Sequence, residues 1–533
     1  MNCNDFKENL NNQGVEGVVC PGDDNYEEWR PIRNTRFDYK PFCIVKCKTA
    51  QDVGNVIKLC VSKQKPFRVR SGGHQHEGMC SGNDVVVIDL SKIKNIEIDT
   101  GDGTAWIGPG AHLEDVYRQL QESGYTIPGG GCGTVCTGGL VQGGGWGMLA
   151  RAGGLACDVL QEVELVDANG DIVTVNETNH QDLLWAIKGG GGGNFGVITN
   201  YKFNLMRETQ ATLVTIKCPK EGEDVQQEVL ANTLKYYLES LPSFDNKFTS
   251  FARVSPYDDV KKVANPALSI TFKYLGNPSD AQNDLRWFTN ELQEKCDIQY
   301  HPHPPEDELR IDEAFLLLNG QIPERLLSSN EESNEEIISN LLSFSLQPLS
   351  QISLLASNET TTERPTTTCG DKILPHKVSS AFPKGNNISE MATAIINYVF
   401  EHPAFEDVAT YLSIHSFGGK IKDFGADSSS FFYRDKEFLL QFQAWWEHPD
   451  DPNQNSYLEW IRNFRKKLEE GGHIEGAFIN FPDRDLFPDR DLLLECYYGG
   501  NFNRLKQIKS KYDPDNVFNF EMSIPPNNPA STV

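Results

Sequence analysis

Apolar positions fall into two textures along the chain. From about residue 38 to 205 they form short runs: Phe67-Arg-Val-Arg, Val85-Val-Val-Ile-Asp-Leu and Val163-Glu-Leu-Val, separated by glycine. Short runs rich in β-branched residues predict strands. Polar-faced stretches such as Leu113 to Glu122 lie between them and predict helices. The alternation is an α/β or α+β pattern. From about 206 to 475 the glycine clusters stop. Asp224 to Ser240 and Glu331 to Ser345 predict helices, and Ala267 to Tyr274 predicts a strand. Thr360 to Thr368 is polar and contains proline, so it predicts an exposed loop. The echo PDRDLFPDRDL, Pro482 to Leu492, is too brief for a repeat architecture. Tyr497 to Pro526 predicts one basic amphipathic helix, ended before Pro514, and a proline-terminated tail.

Composition narrows the class. A length of 533 residues exceeds one compact core and predicts about two to four domains. The formal charge of −26, from 75 acidic and 49 basic residues, repels nucleic acid and anionic membranes and favours solubility. The N-terminus has neither a basic nor an apolar leader region, so no signal peptide is expected. Ile337 to Ala356 comes nearest to a membrane span, but Ser, Asn and Gln interrupt it. The 13 cysteines are scattered rather than set in CxxC pairs, which argues against a zinc module; no metal site is expected. Their odd number leaves at least one thiol outside any disulfide framework. Asn176, Asn358 and Asn387 open glycosylation triplets that matter only in a secreted protein, so the compartment stays open.

Four glycine-bearing segments carry the candidate chemistry. In Arg68 to Gly78 a strand enters the turn Ser71-Gly72-Gly73 before His74. Adjacent glycines let several N–H groups point at one anion, as a diphosphate needs, although a tight surface turn has the same look. No GxGxxG opens a helix there, so a Rossmann site is not indicated. In Gly129 to Gly147, ten of nineteen residues are glycine. A linker would not carry Val135, Leu140, Val141 and Trp146 at intervals, so the glycines point to close approach of backbone to a flat ligand. In Leu183 to Ile198 an apolar helical end meets five glycines, and a helix C-cap explains only one. The fourth segment is Tyr497 to Phe518.

In this order, RxRSGGHxxEG, CxxVxxGG…QGGGWG, WAIKGGGGGNFG and KYDPxNxF…SIPP resemble the berberine bridge enzyme-like family of FAD-linked oxidases, within the vanillyl-alcohol-oxidase superfamily. The resemblance is strong over 40–205 and 476–526 and thin between. It implies an α+β fold: a PCMH-type FAD-binding domain of two α/β subdomains over 38–205, after an N-terminal segment 1–37. A substrate domain over 206–475, an antiparallel sheet backed by helices, is inserted before the C-terminal segment 476–533. It implies FAD bonded twice, His74 to the flavin 8α-carbon and Cys132 to C6. Cys136 is a rival, and the spacing to Gly138-Gly139 favours Cys132. Ser71, Gly72 and Gly73 would cradle the pyrophosphate. Gly138, Gly139, Gly143, Gly144 and Gly145 would lie against the flavin and the dinucleotide. Asn194, Gly196 and Val197 would border the ribityl and adenosine parts, with Asn501 near the ring. Gln75, His76 and Thr137 complete the cofactor set, His76 at the pocket mouth.

The chain departs from the family in its catalytic strand. Tyr-x-Asn-Tyr-x-Asp is Phe478-Ile-Asn-Phe-Pro-Asp483 here, and phenylalanine takes no proton. Leu140 stands where some members carry histidine. The candidates left for catalysis are Tyr201 as base, and Gln441 and Gln443 on the predicted strand Phe438 to Trp446, where alternate residues share a face. The implied activity is removal of a hydride from a small substrate to flavin N5, with O2 as acceptor and H2O2 as product. Sugars and secondary alcohols come first as substrates, then alkaloid-type or polyketide-type amines and alcohols. The rivals are a dehydrogenase with another acceptor, a flavin-carrying binding protein without turnover, and a non-flavin carbohydrate-binding protein. The expected partners are the small substrate and O2, with no nucleic acid, no membrane, and a monomeric chain.

Overall fold

The computed structural model describes residues 1–527 apart from 221, 259–262, 301–373, 403–404, 406–407 and 426. The predicted helix Glu331 to Ser345 and loop Thr360 to Thr368 therefore lie outside the described residues.

Three sheets organise the chain. In the first, strands Val18–Val19, Cys43–Lys46, Val86–Asp89 and Phe67–Arg70 lie side by side, the last three parallel. Parallel strands are covered on both faces, which is why Val86–Asp89 reads as an unbroken buried run. Helix Ala50–Ser62 covers one face and buries Val53, Val56 and Ile57. It starts at Thr49, whose hydroxyl accepts the Asp52 N–H while the Asp52 carboxylate accepts the Thr49 N–H. The second sheet is antiparallel, in the order Ile96–Asp99, Thr104–Ile107, Val197–Asn204, Leu160–Val166, Ile172–Asn176.

The third sheet has eight antiparallel strands, all between residues 211 and 475. One face packs on helices Gln227–Ser240, Pro278–Thr289, Ile388–Glu401 and Gln454–Glu470, with Leu234, Leu285, Ile395 and Phe464 fully buried between. The period of two puts polar side chains on the other face. There Tyr411 and Ser413, on strand Ala409–Ser416, lie opposite Gln443 and Gln441, on strand Phe438–Trp445. The glycine-rich segment docks on this sheet: the Trp146 indole N–H donates to Ser416 O at 2.7 Å.

At the C-terminus the expected helix is Phe502–Tyr512, and a further helix, Arg490–Tyr498, precedes it across Gly499-Gly500. The second helix does end before Pro514, but its basic face is not wholly solvated. Lys509 is fully buried and donates to Asp513 at 2.7 Å, Asn194 O at 2.6 Å and Phe518 O at 2.8 Å. Three acceptors offset the desolvation of that ammonium. Disulfides join Cys3 to Cys20 and Cys218 to Cys296. No described helix is long and apolar enough to cross a membrane.

Candidate active site

One cleft is walled by residues 71–76, 138–140, 142–143, 191–194, 196–197, 479–482, 518–520 and 522. The chain therefore brings the four glycine-bearing segments to one place. Arg68 is the one charged side chain among the described lining residues, and no carboxylate is among them, in a chain with 75 acidic residues. Such a lining suits an anionic ligand.

The glycines themselves test whether a flat dinucleotide fits. A Cβ on Gly139 would have nothing within 4 Å, and one on Gly192 nothing nearer than 3.7 Å. Gly139 sits in helix Thr137–Gln142, where glycine costs about 1 kcal/mol against alanine. No protein neighbour requires either position to be bare, so the vacant wall suits a ligand laid along it. The N–H groups of Gly72, Gly73 and His74 have no acceptor among the described residues, as a diphosphate cradle requires. Gly143 is different: a Cβ there would come within 2.4 Å of the Asn480 amide.

His74 is held from one side. Its Nε2 lies 3.1 Å from Thr134 O and 3.3 Å from Thr134 Oγ1. A carbonyl only accepts, so Nε2 carries the proton and Nδ1 keeps the lone pair. Burial pushes the ring's pKa down to about 3, which keeps it neutral at pH 7. Thr134 also reaches Cys132, whose half-buried Sγ lies 3.6 Å from Oγ1. Cys136 is buried against Gly110 O at 3.5 Å, and burial pushes its thiol up to about 12.

Several sequence-predicted residues line the cleft: Ser71, Gly72, Gly73, His74, Gln75 and His76, then Gly138, Gly139 and Gly143, then Asn194, Gly196 and Val197. Cys132, Thr137, Gly144 and Gly145 are not among the described lining residues, whereas the rival Cys136 is. Asn501 is turned away, because its amide donates to Ser430 O at 3.2 Å. Tyr201 reaches the lining, but its hydroxyl is occupied. It donates to Gly138 O at 3.0 Å, accepts from Gln142 Nε2 at 3.0 Å, and is raised well above its ordinary pKa by burial. Those bonds brace helix Thr137–Gln142 and leave no free proton acceptor there at neutral pH.

Gln441 and Gln443 lie on the polar sheet face outside the cleft lining. Gln441 Oε1 bonds His415 Nε2 at 2.8 Å, and Gln443 bridges Ser413, Tyr411 and Trp445. The His415 ring lies 5.4 Å from that of Phe481, which does line the cleft. Sequence reasoning missed Asn480, Tyr498 and Asn34. Asn480 accepts the Gly145 N–H and donates to Leu140 O, and Tyr498 donates to Gly190 O at 2.8 Å. The Asn480 signal lies in Phe-Ile-Asn-Phe-Pro-Asp, between the two phenylalanines.

Comparison with known proteins agrees with this geometry. The family described as "FAD binding domain" matches residues 41–176, and "Berberine and berberine like" matches 477–525. The FAD-linked oxidoreductase YgaK of Bacillus subtilis is 29% identical over 96% of each chain. Berberine bridge enzyme-like C-1 of Nicotiana tabacum is 28% identical over 93% of this chain and 87% of its own. Among solved structures, BBE-like 1 of Physcomitrella patens superposes with a TM-score of 0.78 at 24% identity, over 98% and 99% of the two chains. A chitooligosaccharide oxidase gives 0.76 at 20% identity, over 98% and 99%. The fold and the two matched segments define an FAD-linked oxidoreductase. Within that class the chain is similar to berberine bridge enzyme-like proteins, and its residues 477–525 match the berberine-like family model.

Proposed function

We propose that this enzyme holds FAD in the glycine-walled cleft through bonds from His74 and Cys132, and oxidises the C–OH group of a small alcohol or sugar. The observation that carries the reading is the state of His74: Nε2–H is given to Thr134, so a neutral Nδ1 lone pair remains on the cleft wall. A neutral imidazole nitrogen is the nucleophile that a bond to carbon needs. Cys132 is the better thiol, since Cys136 stays protonated at neutral pH. A glucooligosaccharide oxidase from Acremonium strictum, 20% identical with a TM-score of 0.78 over 97% of this chain and 98% of its own, is described with a 6-S-cysteinyl, 8α-N1-histidyl FAD.

FAD, when bound, supplies the acceptor for a hydride from the substrate carbon, with oxygen as the final acceptor. The chain's own residues do the rest. Ser71, Gly72 and Gly73 offer N–H groups to the diphosphate. Gln75 fixes that loop by accepting the N–H groups of Glu77 and Met79 at 2.8 and 2.9 Å. Gly138, Gly139 and Gly143 keep the wall flat, braced from behind by Tyr201, which is a positioning residue. Thr137, Gly144 and Gly145 set the path of that loop. Asn194, with Gly196 and Val197, borders the ribityl and adenosine parts. The Gln441 NH2 has no partner among the described residues, so it is free to donate to a substrate hydroxyl, with Gln443 beside it.

Mass analysis of the purified, denatured protein tests the tether. FAD mass on the peptides containing His74 and Cys132 is expected; FAD released free in the supernatant overturns it. Anaerobic mixing with a panel of sugars and secondary alcohols tests the substrate class. Bleaching of the yellow absorbance is expected, and a panel that leaves it unchanged overturns that assignment.

A further inference from the structure

Phenylalanine at 478 and 481 leaves the proposed oxidation without a tyrosine to take the hydroxyl proton. Two histidines 300 residues apart meet beside Phe481 instead. His376 Nδ1 lies 2.9 Å from Leu374 O. A carbonyl cannot donate, so that nitrogen carries the hydrogen, and in a neutral ring Nε2 then holds a lone pair. His76 Nδ1 lies 2.9 Å from this Nε2. The shared hydrogen must therefore belong to His76. His76 Nε2 is left as a lone pair, with no partner among the described residues, on a ring that lines the cleft.

The pair is held in place. Asn34, 1% exposed, accepts the His376 N–H at 3.0 Å and donates to His376 O at 3.0 Å and to His76 O at 2.7 Å. The His376 ring stacks on Trp445 at 4.0 Å. The charged groups alongside are Arg36, Glu77, Lys377, Asp483, Arg484 and Asp485, joined to one another in ion pairs of 2.5 to 3.3 Å. Three are positive and three negative; burial is the main cause that keeps His376 neutral, and His76, Arg36 and His74 disfavour its protonated form as well.

We infer that His76 is the catalytic base, aimed by His376. The inference rests on the oxidation of a C–OH group proposed above. With FAD bound to accept the hydride of the substrate carbon, the O–H proton would pass to His76 Nε2. The C–O bond becomes C=O, and His76 carries the positive charge while its Nδ1–H still donates to His376. His376 touches no reacting atom and is a positioning residue.

The test uses the flavin-loaded protein and the variants His76→Phe, His376→Phe and His376→Asn. Flavin content and melting temperature are measured for each variant, and rates are compared per bound flavin. The rate of anaerobic bleaching by a substrate that bleaches wild type falls on the order of 10²–10⁴-fold in His76→Phe. It falls less in His376→Phe, and His376→Asn recovers part of the loss by offering Oδ1 to the His76 N–H. Burial pushes the His76 pKa down to about 4, so the wild-type rate drops below that pH, and His76→Phe loses this acid limb. The ¹⁵N shifts of the imidazoles read the tautomers without turnover, with His76 expected as Nδ1–H. Wild-type-like bleaching at every pH in His76→Phe, or a proton on His76 Nε2, overturns the inference. In the first case wild-type bleaching persists and the proposed activity stands; failure of the activity itself appears as no bleaching by wild type.

Discussion

Asn480 ties the C-terminal segment to the glycine-rich one: its Oδ1 accepts the Gly145 N–H at 2.9 Å and its Nδ2 donates to Leu140 O at 3.1 Å. The two partners are 335 and 340 residues away in sequence. Asn480→Ala leaves both backbone groups without partners at a part-buried site, and is expected to lower stability by about 1–3 kcal/mol. Urea unfolding of variant and parent measures the loss. An unchanged midpoint would mean that water replaces the amide.

Gly139 separates folding from cofactor capture. Nothing in the protein lies within 4 Å of a Cβ placed there, and alanine suits a helix better than glycine. Gly139→Leu is expected to fold with a melting temperature at or above that of the flavin-free parent, yet to be purified with little flavin. The ratio of visible to ultraviolet absorbance reads the second effect, and a normally yellow variant would show that this wall faces only solvent.

The two thiols near the cleft should behave differently. Cys132→Ser is expected to remove one flavin bond and leave the His74 bond intact, so denatured protein keeps its flavin mass on the His74 peptide alone. Cys136→Ser, at a buried position against Gly110, is expected to leave both bonds in place. Peptide mapping distinguishes the outcomes, and loss of the adduct in Cys136→Ser alone would exchange the roles.

Acid should loosen the sheet face. The His415 ring is 5% exposed, and burial pushes its pKa from 6.5 down to about 4. A group whose native pKa is lowered binds more protons unfolded, so its stabilising share is complete above pH 6.5 and is lost as pH falls through about 4. The melting temperature is therefore expected to drop from pH 6.5 toward 4. In His415→Phe the drop is shallower, which scanning calorimetry across that range measures.

The cleft was legible because glycine is an unambiguous residue. Five in a row after Lys188, or ten in nineteen, have few explanations besides close backbone approach. Local patterning also read well where a segment decides its own state: strand Phe67–Arg70 and helix Leu113–Glu122 stand at their predicted bounds. What failed needed direction in space. Tyr201 sits in strand Val197–Asn204, and its sequence position does not say that Gly138 and Gln142 occupy the hydroxyl. Asn501 looked free until Ser430, 71 residues earlier, claimed its amide. Asn34 and His376 are separated by 342 residues, and no periodicity within one chain encodes a meeting at that range.

Residues 479–482, 518–520 and 522 complete a wall begun by residues 71–76, with the eight-stranded sheet encoded between them. During synthesis the ribosome thus releases the cofactor loops long before the segment that closes over them. On the proposed reading, FAD capture then has to wait for the last wall residues, 518–520 and 522. A message cut short ahead of codon 479 would yield a product with an open trough that no amount of riboflavin can fill.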